Sequence, residues 1–536
     1  MEYAVARFLQ LHQVPVAWHE CLRLIRSHPD YPALLCVSDV LDALGVNNIV
    51  AQVDDAQLGE VPFPYLTHLD RAGGELLLLT NAAERATARA SAAWTGIVVQ
   101  ADGLRMPPPP EQLVRYQQAR RVAVVGKLTA AVAAVLLLLP IFLLPNGLAA
   151  GLYLAALLGA GVGAVLVAKD LGVTPQAVAD FCGNSSQAGC DEVLQTSPVQ
   201  LFGLFTLSDT TATYFSWQVL VLAGLAVAPH LGDTLLPLLA LAAVLGVVVV
   251  GFSLYYQAAV AKAWCRLCLV VDAVLLLQAG WGAYTLWHMP LHVQASWLLP
   301  VLTAAGALLG IAGLVVMLKQ LGRRYFDTQN HEAALLRHKH SVPVFTSLLQ
   351  QQPQADAREF AQEMVVGHPE APLEIIMVSN PFCAPCQMQH EQLSRLLALF
   401  PESLKVRFRF TVSSADTGRF PTTTQYLLHH WLTHIWNTPN EYQRTAAMLH
   451  DWYEHMSLDR FARTHPADFT ADYSLSTQLG TQHYVWVKQH RISRTPTLYL
   501  NGYQLPPAYK LTDLTTMVPS LADFFNREVM HGETAG

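Results

Sequence analysis

Six of the eight cysteines fall into three close pairs, two of which have the CxxC spacing. The pairs are Cys182 with Cys190, Cys265 with Cys268, and Cys383 with Cys386. Two thiols at CxxC spacing either bind a metal ion or exchange with disulfides. The middle pair lies directly before an apolar run, in WCRLCLVVDAVLLLQ, so its chemistry would take place at the edge of a lipid phase.

The composition indicates a membrane protein with soluble parts. The 536-residue chain is 52% hydrophobic and 14% charged, with a formal net charge of −7 and a mean hydropathy of +0.29. This is too apolar for an average soluble protein. The Lys and Arg residues are scattered and the pI is near 6.3, so we expect no nucleic-acid partner.

Apolar segments predict six membrane-crossing helices. Residues 128–168 contain no charged residue in 41 positions, about twice the ~20 residues that one crossing helix needs. The sequence LPNG at 144–147 divides this stretch into two helices. Further apolar runs cover 213–228, 235–256, 265–284 and 296–318. The start, MEYAVARFLQLHQVPVAWHE, lacks the apolar core of a cleavable signal, so an internal helix is expected to direct insertion.

The domain organisation follows from shifts in composition. The proline-rich RMPPPPEQ (105–112) begins a stiff linker (105–121), which separates a domain of mixed helix and strand (1–104) from an all-α polytopic membrane bundle. The bundle covers 122–319 and is followed by a charged linker (320–340). The tail, 341–530, contains the strand-like LEIIMVSN, a helix start after CAPC, a long helical stretch and the strand-like TLYLNG. The chain is therefore expected to be multi-domain.

All three cysteine pairs are expected on the same side of the membrane. Two helices separate the first pair from the second, and two more separate the second from the third. If the first apolar segment crosses the membrane, the N-terminal domain shares that side, and if it is re-entrant, the domain is on the other.

Two arguments disagree about which side this is. Persistent disulfides belong to an oxidising compartment, which favours the periplasmic face of a bacterial inner membrane. The positive-inside rule favours the cytoplasm. The cations that flank the cysteine side are Arg120, Arg121, Lys169, Lys262, Arg266, Lys319, Arg323 and Arg324. We expect the periplasmic face, because the rule assumes charged cytoplasmic loops, and the short loops on the opposite side carry no Lys or Arg.

The C-terminal CxxC has the setting of a reactive thiol. Cys383 follows an apolar strand and precedes a helix, where the exposed N–H groups and the helix dipole stabilise a thiolate. It is the predicted nucleophile. The segments SNPFCAPCQMQH and RTPTLYLNG resemble the thioredoxin fold. That resemblance implies that Thr495 precedes a cis-proline, Pro496, packed against the CxxC.

Between these two segments lie roughly 110 residues. The length resembles the disulfide-oxidase branch of that fold, which carries an inserted helical subdomain. The alternative for the CxxC is a zinc site. It would need two ligands beyond the cysteines, and only His390 lies nearby in the sequence.

The membrane pairs resemble the vitamin K epoxide reductase family over about residues 148–290. The resemblance is carried by FCGNSSQAGCDEVLQTSPVQLFG and by WCRLC at a helix start. It implies that Cys268 reacts with a quinone, that Cys265 exchanges with Cys190, and that Cys182 meets the outside partner. It also implies a supporting hydroxyl at Thr196, where relatives usually have serine, with Ser197 beside it. A four-cysteine zinc site is the alternative, but the seven residues between the first two cysteines exceed the usual two to four.

Two polar residues inside apolar helices are candidate quinone ligands. Asp272 lies one turn after Cys268 and two after Cys265 on one helix face, and we expect it to offer a hydrogen bond or proton to the quinone. The alternative is an acid that reaches the headgroups. Gln218 is the candidate for the other quinone oxygen, and its alternative is pairing between helices.

The N-terminal segments HPDYPALLCVSDVLDALGV, FPYLTHLDRAGGELLLLTN and WTGIVVQADG resemble the papain-like peptidases that trim bacteriocin leaders. That fold needs a cysteine, a histidine on a strand and a downstream Asp, but the histidine position reads Gly74-Glu75-Leu76. Cys21 and Cys36 are expected to be packing residues. The resemblance thus implies a degenerate docking module, with His19 and His28 at its surface.

Together these features predict a quinone-dependent thiol:disulfide oxidoreductase. Electrons from reduced client proteins would pass through the C-terminal, loop and membrane pairs to ubiquinone or menaquinone of the membrane pool. No metal is expected. Two alternatives stay open: a thiol reductase that runs in the opposite direction, and a non-enzymatic membrane adaptor for peptide export.

Overall fold

The computed structural model describes the chain except residues 55–56, 71–73, 145–146, 174–177, 179–205, 289–296, 412–420, 471 and 534–536. The described residues form two compact units. One comprises Met1–Arg120 together with Glu332–Gly536, and the other comprises Arg121–His331. Cys182, Cys190, Thr196 and Ser197 lie outside the described residues.

The N-terminal domain combines helices with one antiparallel sheet. Its helices are α1 (Glu2–Leu11), α2 (Trp18–Arg26), α3 (Leu34–Ala43) and α4 (Ala82–Arg89), and its strands are β1 (Val46–Gln52), β2 (Tyr65–Leu69), β3 (Glu75–Leu79) and β4 (Trp94–Leu104). The strand order is β1-β4-β2-β3. Apolar residues of α1, α2 and α3 pack with residues of β1, β2 and β4 in one core.

One surface prediction in this domain is wrong. His28 is buried, and its Nε2 lies 3.2 Å from the carboxylate of Asp39, which is also buried. The Nδ1 atom of the same ring accepts a hydrogen bond from the backbone N–H of Asp30. A buried polar ring needs such partners, and α3 provides the main one. His19 is exposed, as expected.

The second unit contains most of the apolar helices. They are α5 (Pro110–Leu138), the short α6 (Pro140–Leu143), α7 (Gly147–Asp170), α8 (Leu207–Val227), α9 (Gly232–Tyr255), α10 (Arg266–His288) and α11 (Leu298–Lys339). The described chain has six helical segments that are long and apolar enough to cross a membrane. The segment with α5 and the one with α11 have unburied apolar windows, as expected of helices that face lipid.

Helices α7, α8, α9 and α10 pack against one another as a core. Small residues permit the close approach. A Cβ at Gly163 of α7 would lie 2.7 Å from the Cα of Ala212, and one at Gly282 of α10 would lie 2.5 Å from the carbonyl oxygen of Ala240. Hydrogen bonds tie the outer helices to this core, such as that from the Trp217 indole to the Ala304 carbonyl.

The C-terminal domain is a mixed sheet flanked by helices. Its strands are β5 (Met364–Gly367), β6 (Leu373–Ser379), β7 (Leu404–Phe410), β8 (Thr497–Leu500) and β9 (Tyr503–Gln504), in the order β5-β7-β6-β8-β9. Strands β6 and β7 are parallel, and the other neighbours are antiparallel.

The helices of this domain are α12 (Val342–Gln350), α13 (Ala384–Leu399), α14 (Thr423–His434), α15 (Glu441–His455), α16 (Leu458–Thr464), α17 (Ser474–Gln489), α18 (Leu511–Leu514) and α19 (Val518–Glu533). Helices α14 to α17 form an insertion between β7 and β8. Their apolar faces join the main core through buried residues such as Trp431 and Trp452.

The N-terminal and C-terminal domains contact each other within their common unit. The Arg105 guanidinium donates to the carbonyl of Leu399 at 3.0 Å, and Arg395 donates to the carbonyl of Pro107 at 3.1 Å. Met106 packs against the C-terminal core. Helix α5 begins at Pro110, so the residues that make these contacts lie just before it.

Candidate active site

Cys383 occupies the N-cap of α13, directly after the turn that follows β6. Its sulfur accepts a hydrogen bond from the backbone N–H of Cys386 at 3.3 Å and donates to the carbonyl oxygen of Thr495 at 3.5 Å. The peptide bond between Thr495 and Pro496 is cis. The partly exposed Cys383 sulfur thus lies at a helix N-terminus beside the Thr-Pro segment, where an outside disulfide can reach it.

Cys386 differs sharply from Cys383 in its environment. It is fully buried, and burial raises the pKa of its thiol to about 11. The Ser379 side chain contacts this thiol and shares a short hydrogen bond with the hydroxyl of Tyr453. Cys386 is therefore protonated at neutral pH when reduced, and only Cys383 is suited to attack an outside disulfide.

His390 lies behind this pair and stacks on Tyr453, with 4.7 Å between ring centroids. Burial, reinforced by the nearby His450, lowers the pKa of His390 to about 4, so the ring is neutral at pH 7. Within the described part of the chain, the group of three potential ligands close enough for one metal ion consists of Asp451, Glu454 and His455. The C-terminal cysteines and His390 do not form such a group there.

The membrane CxxC stands at the start of α10. Cys265 immediately precedes the helix and is fully buried, and its sulfur accepts from the backbone N–H of Cys268 at 3.4 Å. Cys268 lines a cavity of about 220 Å³ between α7, α8, α9 and α10. The wall is mostly apolar, with polar groups from Ser208, Thr210, Thr211, Tyr214, Ser253 and Asp272.

Asp272 shares this cavity with Cys268 and is held from α9. Its Oδ2 accepts from the Ser253 hydroxyl at 2.9 Å, and Ser253 accepts from the Gln257 amide at 3.1 Å. The Gln257 oxygen in turn accepts from the backbone N–H of Cys265 at 2.9 Å. One hydrogen-bond chain therefore connects the CxxC backbone to the carboxyl group in the cavity wall.

Gln257 lies in a single π-helical turn, Tyr256–Val260, that continues α9. Such turns are frequent at functional sites. Sequence analysis did not identify Ser253 or Gln257. A usable signal was present, because these two polar residues are spaced i and i+4 in the otherwise apolar VVVVGFSLYYQ and therefore share a helix face.

Gln218 contacts Tyr214, a residue of the cavity wall. Its amide donates to the hydroxyl of Tyr214 at 2.8 Å, and its oxygen accepts from the Gln278 amide at 2.9 Å. Tyr214, and not Gln218, is among the residues that line the cavity. Gln218 thus links α8 to α10 and donates its hydrogen bond to Tyr214, so the Tyr214 hydroxyl can itself donate to a bound molecule.

The cavity suits a quinone ring. An apolar cavity of about 150 Å³ is enough to bind benzene, so about 220 Å³ accommodates a substituted six-membered ring. Asp272 and Tyr214 supply the few polar groups that an otherwise apolar pocket uses to orient its ligand. The Cys268 thiol lies in the same wall.

Comparisons with known proteins support two of the three sequence resemblances. Residues 151–282 match the vitamin K epoxide reductase family, and residues 359–518 match a thioredoxin family. Neither match covers the N-terminal domain, whose resemblance to peptidases stays a prediction. No curated protein matches the chain.

Among solved structures, the chain is similar to BdbD from Bacillus subtilis at 11% identity, with a TM-score of 0.24 over 32% of this chain and 97% of that one. It is also similar to α-DsbA1 from Wolbachia pipientis at 13% identity, with a TM-score of 0.25 over 32% and 97%. A periplasmic thioredoxin-like protein from Salmonella enterica serovar Typhimurium gives 13% identity and a TM-score of 0.25, over 34% and 97%.

The two family matches coincide with the two CxxC sites. The first includes Cys265 and Cys268 with the cavity, and the second includes Cys383 and Cys386 with the Thr495–Pro496 pair. The chain is therefore a multi-pass membrane thiol–disulfide oxidoreductase that joins a domain of the vitamin K epoxide reductase family to a C-terminal thioredoxin-like domain.

Proposed function

We propose that this protein forms disulfides in client proteins and passes the electrons to a membrane quinone, either ubiquinone or menaquinone. The order is client dithiol, Cys383–Cys386, Cys182–Cys190, Cys265–Cys268 and quinone. The observation that carries the proposal is the cavity that Cys268 shares with Asp272 inside an apolar helix bundle. A lipid-soluble acceptor reaches this position, whereas a water-soluble one does not.

The first exchange takes place at the thioredoxin-like domain. A client thiolate attacks the Cys383 sulfur of the oxidised pair, the bond between the two sulfurs breaks, and Cys386 leaves and takes up a proton. The high pKa of Cys386 favours that uptake. A second client thiolate then attacks the client sulfur of the mixed disulfide and releases Cys383 as a thiolate. The client is oxidised and the CxxC is reduced by the same two electrons.

The last step, reduction of the quinone, takes place in the membrane domain. A bound quinone supplies a two-electron, two-proton acceptor. Cys268 presents its sulfur to the cavity, Asp272 offers a carboxyl group oriented by Ser253, and Tyr214 offers a hydroxyl oriented by Gln218. The apolar wall excludes water around these groups, which strengthens each hydrogen bond.

The relay is tested by trapping its internal exchange. In a Cys386→Ser variant, Cys383 attacks the Cys182–Cys190 disulfide at Cys182, and the mixed disulfide cannot be resolved from the serine side. Non-reducing gels should show this mixed disulfide, and its absence would contradict the internal relay. Purified protein supplied with a reduced peptide should also consume a short-chain ubiquinone, whereas a reductase or an export adaptor would not.

For the N-terminal domain we propose a peptidase-like docking role without protease activity. Cys21 and Cys36 are both fully buried, and burial raises the pKa of each thiol to about 12. Such thiols are poor nucleophiles at neutral pH. A leader-peptide cleavage assay should therefore show no activity, whereas binding of the peptide without cleavage would fit the docking role.

We place both soluble domains and the cysteine pairs on the periplasmic face of the inner membrane of a bacterium. The contacts of Arg105 with Leu399 and of Arg395 with Pro107 support placing the two domains on one side, as an even number of crossing helices would. Among the cations on that side, Lys319 is paired with two carboxylates, which weakens the opposing positive-inside argument. Alkylation of single engineered surface cysteines in intact cells tests this placement.

A further inference from the structure

Ser379 and Tyr453 form a buried hydroxyl pair behind the C-terminal CxxC. Ser379 is the last residue of β6, the strand that lies between β7 and β8 in the sheet, and Tyr453 lies in α15 of the helical insertion. Both side chains are fully buried, and their hydroxyl oxygens share a short hydrogen bond. A buried hydroxyl without a partner is costly, and here each hydroxyl satisfies the other.

The pair can offer one hydroxyl proton to Cys386. In the described part of the chain, the Tyr453 hydroxyl has no hydrogen-bond partner other than Ser379, so the Tyr453 proton points to the Ser379 oxygen. A serine hydroxyl can accept one hydrogen bond while it donates another. The Ser379 side chain contacts the fully buried Cys386 thiol. The Ser379 proton is therefore directed at the sulfur of Cys386.

Neighbouring contacts hold Tyr453 in this position. The indole of Trp452, the residue before Tyr453, donates to the carbonyl oxygen of Pro381 at 3.0 Å, which fixes α15 to the turn between β6 and α13. The His390 ring stacks on Tyr453 with 4.7 Å between ring centroids, and His390 lies one turn after Cys386 on α13. The helical insertion therefore supplies a polar group that is held in place behind the CxxC.

We propose that Ser379 is a catalytic residue of the thioredoxin-like site, whose hydroxyl, oriented by Tyr453, stabilises the Cys386 sulfur as it leaves. When a thiolate attacks the Cys383 sulfur, a new disulfide forms, the bond between Cys383 and Cys386 breaks, and its electron pair goes to Cys386. The resulting thiolate accepts the hydrogen bond from Ser379 until it takes up a proton from water. The inference rests on exchange at this CxxC, which the proposed function shares with the opposite, reductase direction.

The benefit of the hydroxyl arises from the burial of Cys386. A thiolate that forms at a buried sulfur lacks the water that would stabilise its charge. A hydroxyl already fixed against the sulfur replaces part of that solvation without reorganising during the reaction. Hydrogen bonds to charged groups are stronger than those between neutral groups. Loss of this bond should therefore slow the departure of Cys386 about tenfold.

The test measures reduction of the Cys383–Cys386 disulfide by dithiothreitol in the full chain, with acid quenching and alkylation to count thiols on gels. The background removes the other close pairs by serine substitution at Cys182, Cys190, Cys265 and Cys268. Ser379→Ala should slow the reduction about tenfold, whereas Ser379→Thr keeps the hydroxyl and should stay within about threefold of the parent. Tyr453→Phe should slow it about threefold, because Ser379 loses its orienting partner. The double variant should equal Ser379→Ala, because Tyr453 acts through Ser379.

Two controls separate assistance to Cys386 from damage to the domain. In a Cys386→Ala form of the same background, dithiothreitol reduces a glutathione mixed disulfide on Cys383, and Cys386 takes no part. Ser379→Ala should leave that rate unchanged. Ser476→Ala removes another buried serine hydroxyl, which donates to the Tyr473 carbonyl at 2.8 Å in α17. It should leave reduction of the Cys383–Cys386 disulfide at the parent rate.

Three results would overturn the inference. An unchanged rate in Ser379→Ala would show that the hydroxyl does not assist Cys386. Equal slowing of the disulfide and the mixed disulfide would show that Ser379 only maintains the fold around Cys383. If Ser379→Ala does not fold, an unchanged rate in Tyr453→Phe, which keeps the ring, would exclude the hydroxyl pair.

The same experiment distinguishes failure of the inference from failure of the proposed function. A parent disulfide that dithiothreitol does not reduce would contradict exchange at this CxxC, and with it the role given to Ser379. A failure of the internal relay or of quinone reduction would leave all these rates as they are, because the background lacks the loop and membrane cysteines.

Discussion

The Ser253 hydroxyl donates a 2.9 Å hydrogen bond to Asp272 across the packed helices α9 and α10. This bond fixes a carboxyl group in the wall of the cavity that Cys268 lines. The same serine accepts from Gln257, which also accepts from the Cys265 backbone. The hydrogen-bond chain therefore fixes the position of the acid relative to the CxxC.

Replacing Asp272 by Asn should slow quinone reduction by about 10²-fold, because the amide keeps the shape of the side chain but cannot deliver a proton. Disulfide exchange between the cysteine pairs should continue at its normal rate. The measurement is the loss of quinone absorbance with a reduced peptide as donor. Asp233→Asn, which alters an exposed acid at the start of α9, is the control. Equal activity of the Asp272 and Asp233 variants would exclude Asp272 from the reaction.

Ser253→Ala tests the hydrogen bond between Ser253 and Asp272 in a second way. Loss of one hydrogen bond to a carboxyl group should reduce the rate by about tenfold. In the double variant with Asp272→Asn, the two losses should combine to less than their product, because both changes disable one arrangement. Independent, fully multiplicative losses would show that Ser253 does not act through Asp272.

Tyr214→Phe should raise the KM for quinone by about tenfold while changing kcat less, because it removes one hydrogen-bond donor from the cavity wall and keeps the ring. The Gln218 amide that now donates to this hydroxyl would lose its acceptor. Steady-state kinetics at varied quinone concentration make the measurement. Tyr255→Phe, at a tyrosine that is 64% exposed, is the matched control. An unchanged KM in Tyr214→Phe would remove this hydroxyl from the quinone site.

Much of the site follows from short-range patterns. The helix starts at Cys383 and at Cys265 depend on residues adjacent in the chain, so the local sequence predicts them, and the Thr495–Pro496 pair follows from the resemblance to the thioredoxin fold. Ser253 and Tyr214 depend on which faces of separate helices meet in the bundle. That register is set by close contacts such as Gly282 against Ala240, and no local pattern contains it.

The burial of charged residues is hard to predict from the sequence for the same reason, because their partners come from other elements. The segment HPDYP has the composition of an exposed turn, but His28 is buried because Asp39 comes from a separate helix to pair with it. The strand β7, LKVRFRF, carries arginines at alternate positions as a half-exposed strand would. It lies between β5 and β6, and Arg407 and Arg409 are both buried. Their partners lie more than 30 positions away in the chain.

Glu363→Gln should lower the free energy of unfolding of the thioredoxin-like domain by about 3 kcal/mol, because it leaves the buried Arg409 guanidinium without its counter-charge. Glu363 accepts from Arg409 Nε at 2.7 Å and from Arg407 Nη1 at 3.3 Å. Urea unfolding followed by tryptophan fluorescence gives the value. The control, Glu359→Gln, alters an exposed acid that contacts Lys405. A loss no larger than that of the control would contradict the structural role of the buried pair.

The stability of the thioredoxin-like domain should fall as the pH drops from 7 to 5, and His390 should account for part of the fall. Its pKa in the folded protein is about 4, lowered by burial, against about 6.5 in the unfolded chain. The unfolded state therefore binds the extra proton first, so the stabilisation is complete above pH 6.5 and is lost as the pH falls toward 4. For His390 the loss at pH 5 is about 2 kcal/mol. His483, with a pKa lowered to about 3 by burial, adds a similar slope. Urea unfolding at both pH values should show a clearly smaller pH effect in His390→Leu than in the wild type, whereas a variant of the half-exposed His368, His368→Leu, should match the wild type. An identical pH effect in all three proteins would contradict a buried, neutral His390.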